Sequence, residues 1–108
     1  MGIQIQVLRE GDGINFPRKG QKVSVNYTGF TADGNVFDSS HDRGQPFSFR
    51  LGTGEVLRGF DEGVSLMSLG QIARLTCPPE YAYGAKGLPG FIPPNSALIF
   101  EVELKSFL

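Results

Sequence analysis

Few side chains in this sequence have the types and spacing that catalytic chemistry requires. The one histidine, His41, and the one cysteine, Cys77, are too few to build a metal site with the usual number of ligands. With that histidine in a polar stretch, a Ser/His/Asp triad is not plausible either. Gly52-Thr53-Gly54 begins like a dinucleotide-binding loop, but Leu57 stands where the third glycine belongs. We therefore expect no metal and no cofactor, and the parts of a hydrolase, a transferase or a redox enzyme are missing.

The unusual feature is the aromatic content, which is nine Phe and three Tyr with no Trp. Several of these residues fall beside turns or in predicted loops, namely Phe37, Phe47, Tyr81, Tyr83 and Phe91. Some of them must serve the core. Phe91 and Ile92, however, form an apolar pair in a loop, where packing does not by itself call for apolar residues. These positions favour an apolar pocket rimmed by loops.

Composition limits the class of protein that the pocket can belong to. A chain of 108 residues has the length of a single domain, here residues 1–108. Ten basic and eleven acidic side chains nearly cancel and are scattered, so we expect neither nucleic acid nor a membrane surface as partner. No apolar run is long enough to span a bilayer. With its single cysteine, the chain is expected to be cytoplasmic.

One stretch, from residue 54 to 69, has the apolar periodicity of a helix. Four apolar residues fall on one face of that helix: Val56, Phe60, Val64 and Met67. Gly59 and Gly63 lie four apart and leave a smooth strip where another backbone can approach. Gly70 follows as a candidate C-terminal cap. Taken alone, this pattern also fits an ordinary amphipathic core helix.

The rest of the chain alternates between strand patterns and turn residues. Strands are predicted at residues 3–8 (half-buried), 23–31, 36–38, 47–51, 72–77 and 98–105, with a hairpin turn over Ala32–Asn35. Two loops, Ser39–Pro46 and Tyr81–Asn95, are expected to stand over one end, and the second is long enough to be functional. The fold class is therefore α+β, with a twisted antiparallel sheet of five to six strands wrapped around one short helix.

Several ordered blocks of the sequence resemble one known family. They are Tyr27-Thr28-Gly29, Val36-Phe37-Asp38-Ser39-Ser40, Val56-Leu57-Arg58-Gly59-Phe60, Tyr81-Ala82-Tyr83-Gly84, Gly90-Phe91-Ile92-Pro93-Pro94 and Phe100-Glu101-Val102-Glu103-Leu104. In this order they closely resemble the FKBP-type peptidyl-prolyl isomerases, and the likeness runs from end to end. It implies catalysed rotation of Xaa-Pro bonds and binding of macrolides such as tacrolimus and rapamycin.

The resemblance also implies which residues form the site. Those expected to contact substrate or inhibitor are Tyr27, Phe37, Asp38, Phe47, Glu55, Val56, Leu57, Phe60, Tyr83, Leu88, Phe91, Ile92 and Phe100. This chain departs from the family at Phe60, commonly Trp, at Leu88, where the best-known members have His, and at Phe91, often Ile. The change at Phe60 is expected to lower ligand affinity. The two on the rim bear on partner choice and inhibitor affinity.

Roles follow from the same likeness. Phe37, Phe47, Val56, Phe60 and Phe100 are expected to grip the proline ring and exclude water. The Leu57 N–H and the Tyr83 hydroxyl would hold peptide carbonyls. Asp38 would polarise the pocket near the rotating bond, steadied by Tyr27 and Arg43. On the residues alone, a turn-capping carboxylate is the preferred interpretation of Asp38, and an anchor for its own loop is the preferred interpretation of Tyr83.

Two functions of different classes remain open at this point. The first is an isomerase, with Asp38, Tyr83, Phe37 and Phe100 as its catalytic residues. The second is a non-catalytic binding or regulatory module that uses the same pocket and rim. For either function we expect a monomer that binds Xaa-Pro segments and macrolides, with a drug-dependent phosphatase or kinase as a further partner.

Overall fold

The computed structural model describes residues 2–108, and it consists of one sheet and one helix. The strands are β1 (Gln4–Arg9), β2 (Lys22–Thr31), β3 (Val36–Ser39), β4 (Phe47–Arg50), β5 (Ile72–Cys77) and β6 (Leu98–Phe107), and the helix α1 is Arg58–Ser65. Two short 3₁₀ turns cover His41–Arg43 and Pro79–Tyr81. All pairings are antiparallel, in the order β1-β5-β6-β2-β3, with β4 also paired to β2. The predicted fold class is confirmed.

The core lies between the sheet and α1, because the long strands present alternate residues to that side. In β2 and β6 every second side chain is buried, as period-two alternation requires. The helix reaches β5 through its glycines. A Cβ on Gly59 would lie 2.5 Å from Cys77 Sγ, and one on Gly63 would lie 2.5 Å from a Leu75 methyl. The expected close approach at the glycine strip is present, but the groups that approach are mainly side chains rather than another backbone; the one backbone atom among the nearest is the Tyr81 carbonyl oxygen, 3.0 Å from the Cβ position of Gly59.

The helix is shorter than its periodicity indicated. Val56 precedes it, and Met67 follows it in a tighter turn, where the Leu66 N–H bonds the Gly63 carbonyl and the Met67 N–H bonds that of Val64. Residues three apart lie on one face in both an α-helix and the tighter turn that follows it, so the apolar spacing could not show where the α-helix ends. The expectation that Gly70 caps the helix was wrong. Gly70 adopts φ 85° just before β5, and its N–H bonds to the Leu104 carbonyl.

The expectation that the first strand is half-buried was also wrong. All of β1 is exposed, including Ile5 and Val7. It is the edge strand of the sheet and pairs only with β5. Since α1 packs mainly on β5 and β6, the side chains of the outer strand are left exposed.

Candidate functional site

An open pocket lies where α1 meets the concave face of the sheet. Its volume is about 150 Å³, and it is lined by Tyr27, Phe37, Asp38, Phe47, Val56, Leu57, Phe60, Tyr83 and Phe100. We call this the aromatic pocket. Strands β2, β3, β4 and β6 each supply a ring, α1 supplies the floor, and the segments before α1 and after β5 supply the rim.

The floor is a set of rings that hold each other edge to face. Phe60, only 3% exposed, meets Tyr27, Phe49 and Phe100 with ring centroids 5.3, 5.6 and 5.2 Å apart. Phe37 stands against Phe100 at 5.8 Å. Such pairs contribute about 0.5–1.5 kcal/mol each beyond the apolar area they bury. The pocket walls are therefore fixed by the same contacts that stabilise the core.

One wall of the pocket is polar. Asp38 Oδ2 accepts a hydrogen bond from the Tyr27 hydroxyl, and Asp38 Oδ1 accepts one from Arg43 Nη1 at 2.9 Å. Arg43 Nη2 also donates to the Tyr27 oxygen at 3.1 Å. Tyr27 thus donates to the carboxylate and accepts from the guanidinium, which closes a three-residue network. We call these residues the Asp38 network.

The network determines which groups carry charge. Burial raises the pKa of Asp38, but hydrogen bonds from Tyr27 and Arg43 outweigh it and bring the pKa below the ordinary 3.8. Burial, together with the hydrogen bond to Asp38, raises the pKa of the Tyr27 phenol above 10.0. Around neutral pH the Asp38 network therefore contains a charged Asp38 carboxylate and a neutral Tyr27 phenol. The side chain of Asp38 stays 39% exposed, so its field is partly screened.

Ser40 positions this wall, a role that the sequence analysis did not foresee. It is fully buried. Its Oγ accepts the Tyr27 N–H at 2.9 Å, and its own N–H bonds the Tyr27 carbonyl at 3.0 Å. Strand β3 is thereby fixed to β2 beside the Asp38 network. The adjacent serines Ser39 and Ser40 stand in one of the recognised blocks and both are buried, but nothing in their spacing shows that Ser40 is the one that bonds the Tyr27 backbone.

Two donors point at the pocket without a partner. Among residues 2–108, neither the Leu57 N–H nor the Tyr83 hydroxyl has a hydrogen-bond acceptor. Leu57 is the residue before the first turn of α1, with extended backbone, φ −54° and ψ 144°. Both groups are free to bond carbonyls of a bound peptide.

The remaining candidate residues lie outside the aromatic pocket. Ile92 is buried and lines a shallow hollow in the proline-rich loop. Phe91 is 73% exposed and Leu88 is 37% exposed, both on the rim. Glu55 accepts the Arg50 N–H at 3.1 Å and so braces the loop after β4. The structure thus brings together most of the predicted site but not these four residues.

Two further findings concern other kinds of site. Among residues 2–108 no three His, Cys, Asp or Glu side chains are grouped to hold a metal ion. No helix in that range is long and apolar enough to cross a membrane.

Comparison with known proteins shows which sequences this chain is similar to. A sequence model of the family described as FKBP-type peptidyl-prolyl cis-trans isomerase matches residues 13–105. The chain is 58% identical over 104 residues to the peptidyl-prolyl cis-trans isomerase Fkbp12 of Drosophila melanogaster, covering 96% of each protein. It is equally 58% identical over 104 residues to the peptidyl-prolyl cis-trans isomerase FKBP1A of Xenopus laevis, again covering 96% of each.

Proposed function

The chain belongs to the FKBP-type peptidyl-prolyl cis-trans isomerases and is such an isomerase, and from that premise we propose that the aromatic pocket is where the Xaa-Pro bond rotates. The observation that supports this most directly is the grouping of six aromatic rings and one fixed carboxylate around a single small hollow. A proline ring is apolar and compact, and this hollow offers it ring faces and edges on several sides.

The proposed mechanism is differential binding of the twisted imide. Rotation is slow because the planar amide is held by resonance, with a barrier of about 18–20 kcal/mol. The planar form is more charge-separated, so water hydrogen-bonded to its oxygen stabilises it more than the twisted form. A pocket that removes this water raises the planar ground state relative to the twisted transition state. No nucleophile or proton transfer is needed.

Each part of the pocket has a proposed task in that step. Phe37, Phe60 and Phe100 exclude water around the proline ring. The free Leu57 N–H and the Tyr83 hydroxyl bond carbonyls of the neighbouring residues and so orient the chain. The carboxylate of Asp38 stands at the edge of the pocket and interacts with the dipole of the rotating group. Arg43 acts only through Asp38 and Tyr27, as a positioning residue.

The test is isomerisation of a Leu-Pro peptide followed by NMR exchange, which needs no coupling protease. Phe37→Ala and Asp38→Val should each lower kcat/KM by about tenfold or more, since each removes a wall of the pocket. Far-UV circular dichroism and urea midpoints show whether the variants remain folded. Folded variants with wild-type rates would refute the assignment of the pocket.

The same pocket is proposed to bind tacrolimus and rapamycin, which would compete with the peptide in that assay. Phe60 offers a smaller floor than an indole, so we expect weaker macrolide binding than for a chain with Trp at this position. Phe60→Trp should tighten it, and titration calorimetry compares the two proteins. We further propose that the chain acts in the cytoplasm.

A second candidate function, a binding module, is favoured by one observation. Phe91 and Leu88 expose apolar surface on the rim, beyond the aromatic pocket. A phosphatase or kinase docked there in the presence of the macrolide would bury that surface. Pull-down of each enzyme class with rapamycin or tacrolimus present, using Phe91→Ser and Leu88→Ser, tests this. If the biological effect of the protein persists in an Asp38→Val variant that has lost isomerase activity, the binding module is favoured over the isomerase.

A further inference from the structure

A wider groove lies beside the aromatic pocket and has no task in the mechanism above. Its volume is about 560 Å³, between the β2–β3 hairpin and the proline-rich loop. Its lining includes Ala32, Asp33, Val36, Phe37, Phe91 and Pro93. We call it the hairpin groove.

The hairpin groove adjoins the aromatic pocket through one shared side chain. Phe37 lines both, so a single ring separates them. The aromatic pocket is small, at about 150 Å³, and a protein substrate is a long chain. The residues on either side of the bound proline must therefore leave the pocket along its rim, and the groove lies directly at one exit.

The walls of the groove are apolar although they face solvent. Val36 is 56% exposed and Phe91 is 73% exposed, on opposite sides. Neither belongs to the buried core. Apolar surface left open on two facing walls is what an apolar side chain of a bound peptide would cover.

The groove also carries one charge in a fixed place. Asp33 is the only ionisable side chain lining it among residues 2–108. Its carboxylate accepts hydrogen bonds from the Thr31 hydroxyl and from Asn35 Nδ2, the latter at 3.1 Å. The hairpin turn itself is closed by bonds from the Thr31 N–H to the Asn35 carbonyl and from the Gly34 N–H to the Thr31 carbonyl. A cationic side chain in the groove would therefore meet a carboxylate whose position is already set.

We propose that the hairpin groove is an extended substrate subsite. It binds a residue flanking the Xaa-Pro pair, prefers an apolar side chain between Val36 and Phe91, and favours a lysine or arginine over a glutamate beside Asp33. This proposal rests on the assignment of the aromatic pocket as the catalytic site. The subsite would make the isomerase selective for residues outside the Xaa-Pro pair.

The experiment compares peptides of two lengths by NMR exchange. One is a tetrapeptide containing Leu-Pro, and the others extend it at its N-terminus or at its C-terminus with an apolar residue and a lysine. Val36→Thr keeps nearly the same side-chain shape but replaces one methyl group of an apolar wall with a hydroxyl. It should lower kcat/KM by about threefold for one of the extended peptides and leave the tetrapeptide unchanged, because only the extended chain reaches the groove.

Charge is tested separately with Asp33→Asn. The wild-type protein should favour the lysine peptide over its glutamate counterpart by about two- to fivefold, as expected of an exposed ion pair. Asp33→Asn should abolish that preference. Ile14→Thr and Glu10→Gln serve as matched controls, since both sites are exposed and distant from the groove lining.

The outcomes separate this proposal from the one on which it rests. If Val36→Thr slows the tetrapeptide as much as the extended peptides, or slows none of them, the subsite is refuted. A lysine preference that persists in Asp33→Asn refutes the charge selectivity. If wild-type protein turns over the tetrapeptide but Phe37→Ala does so equally well, the assignment of the aromatic pocket fails instead.

Discussion

The desolvation mechanism can be tested by adding one polar atom to the pocket. Val56→Thr keeps the shape of the side chain and replaces a methyl group with a hydroxyl. Val56 lines the aromatic pocket from the segment just before α1 and is half-buried. The new hydroxyl gives up its water when the peptide binds, and the twisted imide, whose oxygen carries less charge, replaces that hydrogen bond less well than the planar form does. The twisted transition state is therefore destabilised relative to free enzyme and substrate, which is the difference that kcat/KM measures.

The size of the effect follows from the cost of placing a polar group in an apolar setting. In proteins an unpaired hydroxyl costs about 1–3 kcal/mol, and the half-buried position points to the lower end. At about 1.4 kcal/mol per factor of ten, kcat/KM should fall roughly five- to tenfold. The urea midpoint should change little, since Val56 lies outside the fully buried core.

A matched control is available within α1. Val64 in α1 is fully buried and does not line the aromatic pocket. Val64→Thr should therefore destabilise the fold by about 1–3 kcal/mol while the folded protein keeps its kcat/KM. NMR exchange with a Leu-Pro peptide and urea denaturation measure both quantities. If Val56→Thr keeps more than half of the wild-type kcat/KM, removal of water is not the source of the rate enhancement.

The remaining predictions concern charge, packing and the thiol. The isomerisation rate should be nearly flat from about pH 6 to 9, because the lowered pKa of Asp38 and the raised pKa of Tyr27 keep both groups in one state; a bell-shaped profile centred near neutrality would contradict this. Gly59→Ala should lower the free energy of unfolding, measured by urea denaturation, by about 1–3 kcal/mol despite the better helix propensity of alanine, because its Cβ would lie 2.5 Å from Cys77 Sγ. Unchanged stability would show that α1 and β5 can move apart without cost. Burial raises the pKa of Cys77 to about 12, so the neutral thiol stabilises the fold fully below pH 9.0 and this contribution is lost as pH rises towards 12. Cys77→Ala should flatten that alkaline loss, and native Cys77 should react with a thiol reagent at pH 8 far more slowly than in urea.

Strand positions could be predicted from the sequence because alternation is a local property. The expected strand over residues 72–77 matches β5, and those over 23–31 and 98–105 lie within β2 and β6. Alternation does not say whether a strand is covered. Ile5 and Val7 have the pattern of a half-buried strand, yet they are exposed on the edge strand, beyond the strands on which α1 mainly packs. Burial of β1 depends on which strands the helix packs against, and the local sequence of the strand does not show this.

The candidate site was predicted less from patterns than from resemblance. Helical spacing put Val56 and Phe60 on one face but could not show that both line a hollow. Asp38 alone reads as a turn cap, because its partners Tyr27 and Arg43 come from the far side of a hairpin and from a short 3₁₀ turn. Ser40 was not predicted at all, since both serines of the pair are buried and their order in the sequence does not show that Ser40 is the one whose hydroxyl accepts the Tyr27 N–H.

The pocket exists because the rings around it are prevented from filling it. A Cβ on Gly29 in β2 would lie 2.8 Å from the Phe37 ring and 3.0 Å from the Phe100 ring, so only glycine lets both rings pack this close to the strand. Behind them, Phe60 is held by three neighbouring rings and cannot rise into the space. The walls of the pocket are therefore held in position by their own packing. A proline ring that enters it meets walls already in place, and little of the binding free energy is used to order them.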